Sequence, residues 1–529
     1  MCTLSWQIRD DSLTVIFNRD EQLSRPDAIP PERQFLNGVH VISPVDPEGG
    51  GTWIAANEYG MVFCLMNFYG NSAIENSREN FKSRGLLVKN MSACHDLHII
   101  RQKLADINLK QYRPFHFIVF PGTYTPIEWQ WNGKEFREVV ASLPLLTTSG
   151  AFISLTRWAR TRVFRKATDN YNRVLTEEQH LAIHRSRRPW PSTMSIAMKR
   201  KGRETVSLTR VQVHPHRVQM DYLPGNPATT RQAMQTYQIM RTSNPSPERP
   251  VIPCESYPVN PVNVATLLRE KNPEMYRNMS GFTVQLIRHV AREGVVNERL
   301  NKLKGLPCNY FAAKVLNRNG VKGFLKPASG ELPDPKTRPV FMANHPTGGL
   351  DGLLALHWLS VYYPGIRLIV NDLLWNLPHM RPYILPVDVF GDSRKALKLV
   401  FDIFKGDAPL MLFPSGQTAR KEKGVLTEAS WKKNSIKMAI RNRRTVVPVH
   451  INGYNSRLFY SVSWLRKFLR IPLNLEMLLL SREFFYPACK EFYITVGSPI
   501  SSEDVKKMGK TDDERAEKLR QICTSLSHR

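Results

Sequence analysis

Acidic residues are scarce relative to basic ones in this chain. Its 46 Asp and Glu stand against 74 Lys and Arg, a formal net charge of +28 over 529 residues. That imbalance calls for an anionic partner, either nucleic acid or an anionic membrane surface. Cysteine is sparse as well. The seven are odd in number, scattered and never spaced CxxC, which argues against a disulfide framework or a thiolate zinc site and favours a reducing cytosol. Long apolar runs are missing: Leu353–Tyr363 stops at Pro364-Gly365, and later runs carry Lys and Arg. The start, MCTLSWQIRDD, has no basic segment ahead of an apolar core. Neither a membrane-spanning helix nor a secretory signal is therefore expected, and membrane contact should be peripheral, on the cytoplasmic inner face. Internal repeats are absent. So is any recognition-helix, RNP or zinc-finger pattern beside the basic stretch Arg157–Arg203, which leaves the membrane surface as the expected anionic partner rather than nucleic acid.

What is present divides in two. A chain of this length exceeds what one core usually supports. The segment SNPSPERPVIPCESYPVNPVN has too many prolines for helix or sheet and reads as an extended linker over 243–263, between domains 1–242 and 264–529. Short alternating segments dominate before it. After it, strands at Val340–Asn344, Ile366–Val370, Tyr383–Val387, Leu410–Phe413 and Val446–Ile451 alternate with helical stretches at Gly352–Tyr362, Arg394–Phe404 and Glu428–Arg441. That rhythm predicts an α/β layer with ligands at the strand C-terminal ends.

The first twenty residues predict a hairpin. With Asp10-Asp11 as the turn, Arg9 faces Ser12, Ile8 faces Leu13, Trp6 faces Val15 and Leu4 faces Phe17, which makes one face uniformly apolar. The same register sets Cys2 opposite Arg19, with Asp20 adjacent. Removal of Met1 would leave Cys2 with a thiol nucleophile and an α-amino base on one residue, beside a guanidinium that favours thiolate. The plainer reading is a small core cysteine. Asn18-Arg19-Asp20-Glu21, Ser24-Arg25-Pro26, Gly50-Gly51-Thr52-Trp53 and Leu65-Met66-Asn67 resemble the NRDE (transport and Golgi organisation protein 2) family. The resemblance implies an αββα, Ntn-hydrolase-like fold with Cys2 in the nucleophile's place and Arg19, Asp20 and Asn67 lining the pocket, Asn67 as oxyanion donor. It also admits a non-catalytic lipid- or haem-handling role.

In ANHPTGGLDG, Pro346 and Gly348-Gly349 break any continuous helix and allow a compact loop that returns Asp351 to His345. Asp351 would then orient the imidazole, freeing His345 to take a proton from a hydroxyl. The alternative is a glycine turn with Asp351 capping the next helix. Downstream stand LMLFPSGQTAR, YILPVDVFGDSR and VVPVHINGYNS. Their order after Asn344-His345 resembles the phospholipid and glycerol acyltransferase superfamily, in the putative hemolysin or ornithine-lipid-type O-acyltransferase branch. The resemblance implies a glycerol-phosphate-acyltransferase-like α/β domain. It implies His345 as general base, Asp351 as orienter, and Asn344, Gly348, Gly349, Ser415, Gly416 and Arg420 as substrate-binding elements. The donor would be an acyl carrier protein or CoA thioester and the acceptor a lysolipid hydroxyl, with no bound cofactor or metal. The chain departs from the family pattern at Ser415, where a Glu is usual, and at Val389, where an Arg is usual; Arg381 or Arg394 could replace that Arg. Leu458–Pro487, with Arg466, Lys467 and Arg470 among bulky apolar residues, reads either as an interfacial amphipathic element or as two core helices broken at Pro472.

Overall fold

Strand Cys2–Arg9 pairs antiparallel with Ser12–Gln22 in the register that the alternating apolar side chains demand, with Leu4 on Phe17, Trp6 on Val15, Ile8 on Leu13 and Cys2 on Arg19. The computed structural model describes residues 2–9, 12–69, 81–122, 126–139, 144–150, 152–169, 173–243, 262–271, 273–304, 306, 308–327, 332–371, 374, 377–387, 401–422, 425–469 and 475–528. The chain falls into two units, 1–251 and 252–529. The turn Asp10-Asp11, most of the Pro-rich linker and Arg394 lie outside the described residues.

In the first unit the hairpin belongs to an antiparallel sheet ordered Leu145–Thr148, Cys2–Arg9, Ser12–Gln22, Arg203–Val213, Arg217–Pro224, Gln235–Met240. A second run of antiparallel strands is ordered Phe136–Val139, Ile127–Trp131, Phe115–Pro121, Met61–Asn67, Ile54–Asn57, Val39–Val45, Ile29–Leu36. The two sheets bury their apolar faces on each other: Leu4, Trp6, Leu13, Val15 and Phe17 from one meet Ile42, Ile54, Val62, Cys64, Ile118 and Phe120 from the other. Each such side chain removed from water contributes roughly 1.5–3 kcal/mol. Helices Ile153–Ala167 and Glu177–His184 pack on the first sheet, and Gly85–Met91 on the second, so the layers run helix, sheet, sheet, helix.

A buried polar cluster fastens one of those helices. The Ser5 hydroxyl lies 2.6 Å from Nε2 of His180 and 2.6 Å from Nε2 of His184. Nδ1 of His184 is 3.0 Å from Oδ1 of Asn18. Asn18 therefore belongs to the scaffold. Burial, with Arg9 and Arg210 nearby, pushes His180 down to about 3, and burial pushes His184 well below its ordinary value. Both imidazoles fold neutral, whereas the unfolded chain binds protons near pH 6.5. Stability from this pair is thus intact above about pH 6.5 and is lost as pH falls from there toward 3. Equilibrium unfolding should show the first unit weakening by several kcal/mol across that window, with Tm flat above it.

The second unit holds a sheet ordered Ile384–Val387, Arg367–Asn371, Leu410–Leu412, Val340–Ala343, Val446–Ile451, Glu491–Val496, Lys322–Pro327. The first five strands run parallel, Glu491–Val496 runs against Val446–Ile451, and Lys322–Pro327 is parallel to Glu491–Val496. Val340, Met342, Leu410, Leu412, Ile436, Ala439 and Val446 pack into one core under helix Asp512–Ser525. The predicted helix from Glu428 begins only at Lys433; a short hairpin, Arg420–Glu422 with Val425–Thr427, precedes it, and residues 428–432 are irregular. The Leu458–Pro487 segment forms helix Arg457–Phe468, a 3-10 turn Leu475–Leu479 and helix Leu480–Phe485, with 470–474 outside the described residues. No helix among the described residues is long and apolar enough to cross a membrane.

Candidate active site

Strands Val340–Ala343 and Leu410–Leu412 are hydrogen-bonded neighbours, so the loops leaving their C-terminal ends converge. One carries His345 and the other Ser415. Between the first strand and helix Leu350–Tyr362, Gly348 takes φ +79°. A Cβ there would run into Oγ1 of Thr418, so the bend requires glycine on both steric and conformational grounds. The bend returns Asp351 to His345, with Nδ1 of the ring 3.1 Å from Oδ2. The same Oδ2 accepts from the Thr347 N–H at 2.9 Å, while Oδ1 accepts from the N–H groups of Gly349 at 3.1 Å and Gly352 at 2.9 Å. Asp351 is fully buried in the first turn of its helix, where the helix dipole favours negative charge. Burial raises its proton affinity, but the His345 charge and hydrogen bond, with the Thr347 and Gly352 N–H groups, outweigh this and hold the carboxyl below its ordinary range. An ionised Asp351 can only accept, so Nδ1 is the donor in this contact, which leaves Nε2 as the nitrogen available for proton transfer. The imidazole stacks on Phe413, centroids 4.1 Å apart, and its side chain remains 17% exposed. A cavity lined by Thr347, Gly349, Leu350, Tyr454, Asn455 and Phe484 measures only about 10 Å³, room for one water at most.

Several residues expected to bind substrate have internal partners. The Asn344 amide donates to the Ile451 carbonyl at 2.8 Å and accepts from the Ile451 N–H at 2.7 Å, tying two strand ends together. Ser415 is 1% exposed and bonds the Gln417 carbonyl and Glu428. Arg420 pairs at 3.1 Å with Glu476, a carboxylate with no exposure, which Arg466 also meets at 3.0 Å. Gly416, at φ +62°, lies under the Lys432 ammonium.

The sequence reading missed Glu428. Its Oε1 accepts from the His345 N–H at 3.1 Å and its Oε2 from Trp431 Nε1 at 3.2 Å. Burial raises its proton affinity above the usual carboxylate range. Ser415 supplies no carboxylate where the resembled family has one. Glu428 brings one back from beyond the Arg420–Thr427 hairpin, against the dyad's own backbone. In the sequence it reads only as the first residue of the predicted helical stretch Glu428–Arg441.

In the first unit, Cys2, Arg19, Asp20 and Asn67 line one cavity of about 750 Å³, with Trp53, Phe68, Tyr69, Phe81, Arg84 and Arg113 among its other walls. The Cys2 N–H donates to Thr148 Oγ1 at 3.2 Å. Asp20 accepts from Thr205 Oγ1 at 2.6 Å and faces the Arg160 guanidinium at 3.7 Å. Asn67 donates to the Tyr69 hydroxyl at 3.0 Å. One expectation needs correcting. Arg19 lies over the Trp53 ring at 4.3 Å and pairs with Glu21 at 3.4 Å and Asp46 at 3.5 Å. It does not hold a thiolate: burial pushes the Cys2 thiol up, against the opposing pull of the terminal amino group. Among the described residues no group of His, Cys, Asp and Glu is arranged to hold a metal ion.

The Acyltransferase family model matches residues 266–526, and the Transport and Golgi organisation 2 model matches residues 1–220. The lyso-glycine lipid O-acyltransferase of Bacteroides thetaiotaomicron is 32% identical to this chain over 274 residues, which are 50% of this chain and 97% of that protein. Among solved structures, the 1-acyl-sn-glycerophosphate acyltransferase PlsC of Thermotoga maritima aligns at 15% identity and TM-score 0.29, over 47% of this chain and 88% of its own. The N-acylethanolamine-hydrolyzing acid amidase ortholog of Caenorhabditis elegans aligns at 11% identity and TM-score 0.28, over 45% of this chain and all of its own.

Proposed function

We propose that this chain, which belongs to the acyltransferase family through its second domain and carries a transport and Golgi organisation 2 domain in its first, O-acylates an amino-acid lipid. The carrying observation is the His345–Asp351 contact at the mouth of the parallel sheet. Nε2 of His345 takes the proton of the acceptor hydroxyl as its oxygen attacks the donor thioester carbonyl. The C–S bond breaks, and the CoA or acyl-carrier-protein thiolate leaves with the proton returned from the imidazolium. Asp351 keeps the ring in the productive tautomer and stabilises its charged form. The acceptor is taken from the relative's printed name: a lyso-glycine lipid, whose carboxylate suits a chain with a +28 balance. Peripheral contact with an anionic bilayer is supported by helix Arg457–Phe468. It exposes Trp464 at 65% and Phe468 at 69%, stacked 5.5 Å apart, beside Lys467.

The test supplies the purified chain with acyl-CoA or acyl-carrier-protein thioester and either lyso-glycine lipid or lysophosphatidic acid. Transfer to the glycine lipid at least tenfold faster is expected. Preference for the phosphate acceptor would refute the acceptor assignment, and inertness toward both would refute the reaction. A second reading concerns the first domain, where Cys2, Asp20 and Asn67 share one cavity. A chain processed to Cys2 would carry an N-terminal thiol nucleophile suited to amide hydrolysis, with Asn67 as oxyanion donor, in an Ntn-hydrolase-like fold. Intact mass must then show Met1 absent; its retention ends that reading.

A further inference from the structure

The helical layer that covers the first sheet of the first domain carries charge of one sign. From Phe152 to Thr168 the chain has five cations, Arg157, Arg160, Arg162, Arg165 and Lys166, and no carboxylate. From Gln179 to Arg203 it has seven cations and again no carboxylate. The acidic residues flanking these stretches are Asp169, Glu177, Glu178 and Glu204, of which Glu177 meets Arg210 at 3.6 Å and Glu204 meets Lys199 at 4.0 Å. The two stretches are packed together. Nε of the buried Arg160 donates to the Met194 carbonyl at 3.0 Å, and Phe164 shares a core with Ile196.

Helix Ile153–Ala167 turns Thr156, Ala159, Arg160 and Phe164 inward. A helix with one face on a core ordinarily presents polar groups on the other. Here Leu155 and Trp158, three residues apart, are 51% and 58% exposed, among the exposed Arg157 and Arg162. The Arg162 guanidinium lies 5.4 Å over the Trp158 ring. Phe152, at the entrance of the helix, is 75% exposed. The loop after Glu177–His184 exposes Arg185, Arg187, Arg188 and Trp190. This face is therefore apolar and cationic at once. A second copy of it would set cation against cation. Nucleic acid would match the charge and could stack on tryptophan, but it gives Leu155 no apolar partner. An anionic bilayer answers both features, because rings and Leu enter the acyl boundary while guanidinium groups stay among headgroup phosphates.

We propose that the outer face of helix Ile153–Ala167 docks the first domain on an anionic lipid bilayer. Phe152, Leu155 and Trp158 enter the headgroup boundary, and Arg157 and Arg162 meet lipid phosphates. This docking requires neither Cys2 chemistry nor acyl transfer, and it is distinct from the contact proposed for helix Arg457–Phe468 of the second domain.

The test is co-sedimentation of the full chain carrying Trp464→Ser and Phe468→Ser, which silences the exposed aromatic pair of the second domain. The vesicles are phosphatidylcholine alone or with about 30% phosphatidylglycerol, and hydrogen exchange locates the contact. Mixed vesicles should bind about tenfold or more tightly than neutral ones and protect residues 152–166. Adding Leu155→Ser with Trp158→Ser should weaken that binding about tenfold or more at unchanged Tm. Arg157→Gln with Arg162→Gln should weaken it to a similar degree and make its salt dependence shallower. Equal binding to neutral vesicles, no protection of 152–166, or indifference to the Leu155 and Trp158 substitutions overturns the proposal. So does protection of this helix by an RNA oligonucleotide with none from vesicles, which would assign the face to nucleic acid.

Discussion

Replacing His345 by Ala should lower acyl transfer by about a thousandfold or more while the protein stays folded. The magnitude follows from what the ring does: a positioned general base is worth roughly 10² to 10⁴ in rate. The folding cost should be small by comparison. His345 is partly exposed and its main apolar contact is Phe413, so truncation should cost about 1–2 kcal/mol. Circular dichroism and Tm separate the two effects. A loss of rate with the melting curve nearly in place supports a base. A loss of rate that tracks unfolding would reduce His345 to a structural residue, and unimpaired turnover would end the mechanism.

Asp351→Asn should hurt both activity and stability, for a reason visible in its partners. One carboxylate oxygen accepts from His345 Nδ1 and the Thr347 N–H, the other from the N–H groups of Gly349 and Gly352. An asparagine has one acceptor oxygen and one NH2, so either orientation points a donor at two donors in a fully buried position. If the NH2 faces His345, the ring must donate from Nε2 and can no longer accept the substrate proton. Activity should fall about 10² to 10⁴-fold, and stability by about 3 kcal/mol or more. The pH signature checks the assignment. The folded carboxyl is held below its unfolded value, so it stabilises the native state above about pH 4 and that contribution is lost as pH falls through the folded value. Asp351→Asn should remove that acid-range slope from the second domain's unfolding. An unchanged slope would show that Asp351 does not carry the charge argued here.

The dyad was legible because its two members are six positions apart on a loop whose glycines advertise the bend, and local spacing governs local return. The residues expected to bind substrate were legible only as residue types. Asn344, Ser415 and Arg420 do sit around the dyad, but each is satisfied by a group far away in the chain: the Ile451 main chain, Glu428 and Glu476. A buried polar side chain takes whichever partner the fold delivers, and periodicity says nothing of that delivery. Glu428 was missed for the same reason. Arg19 shows the limit within a correct prediction: the register placed it opposite Cys2, yet Glu21, Asp46 and Trp53 claimed its guanidinium.

Taken alone, the order of residues determined the hairpin register, the succession of parallel strands and the meeting of an imidazole with a carboxylate. Each depends on side-chain alternation or on short loops, which act over a few residues. Tertiary structure decided which partner each buried charge meets. It gathered Cys2, Asp20, Asn67, Arg84 and Arg113 around one cavity, and it set Glu428 under the dyad. Coulombic and hydrogen-bond partners are chosen by distance in the folded chain, and folding joins residues that the sequence keeps far apart.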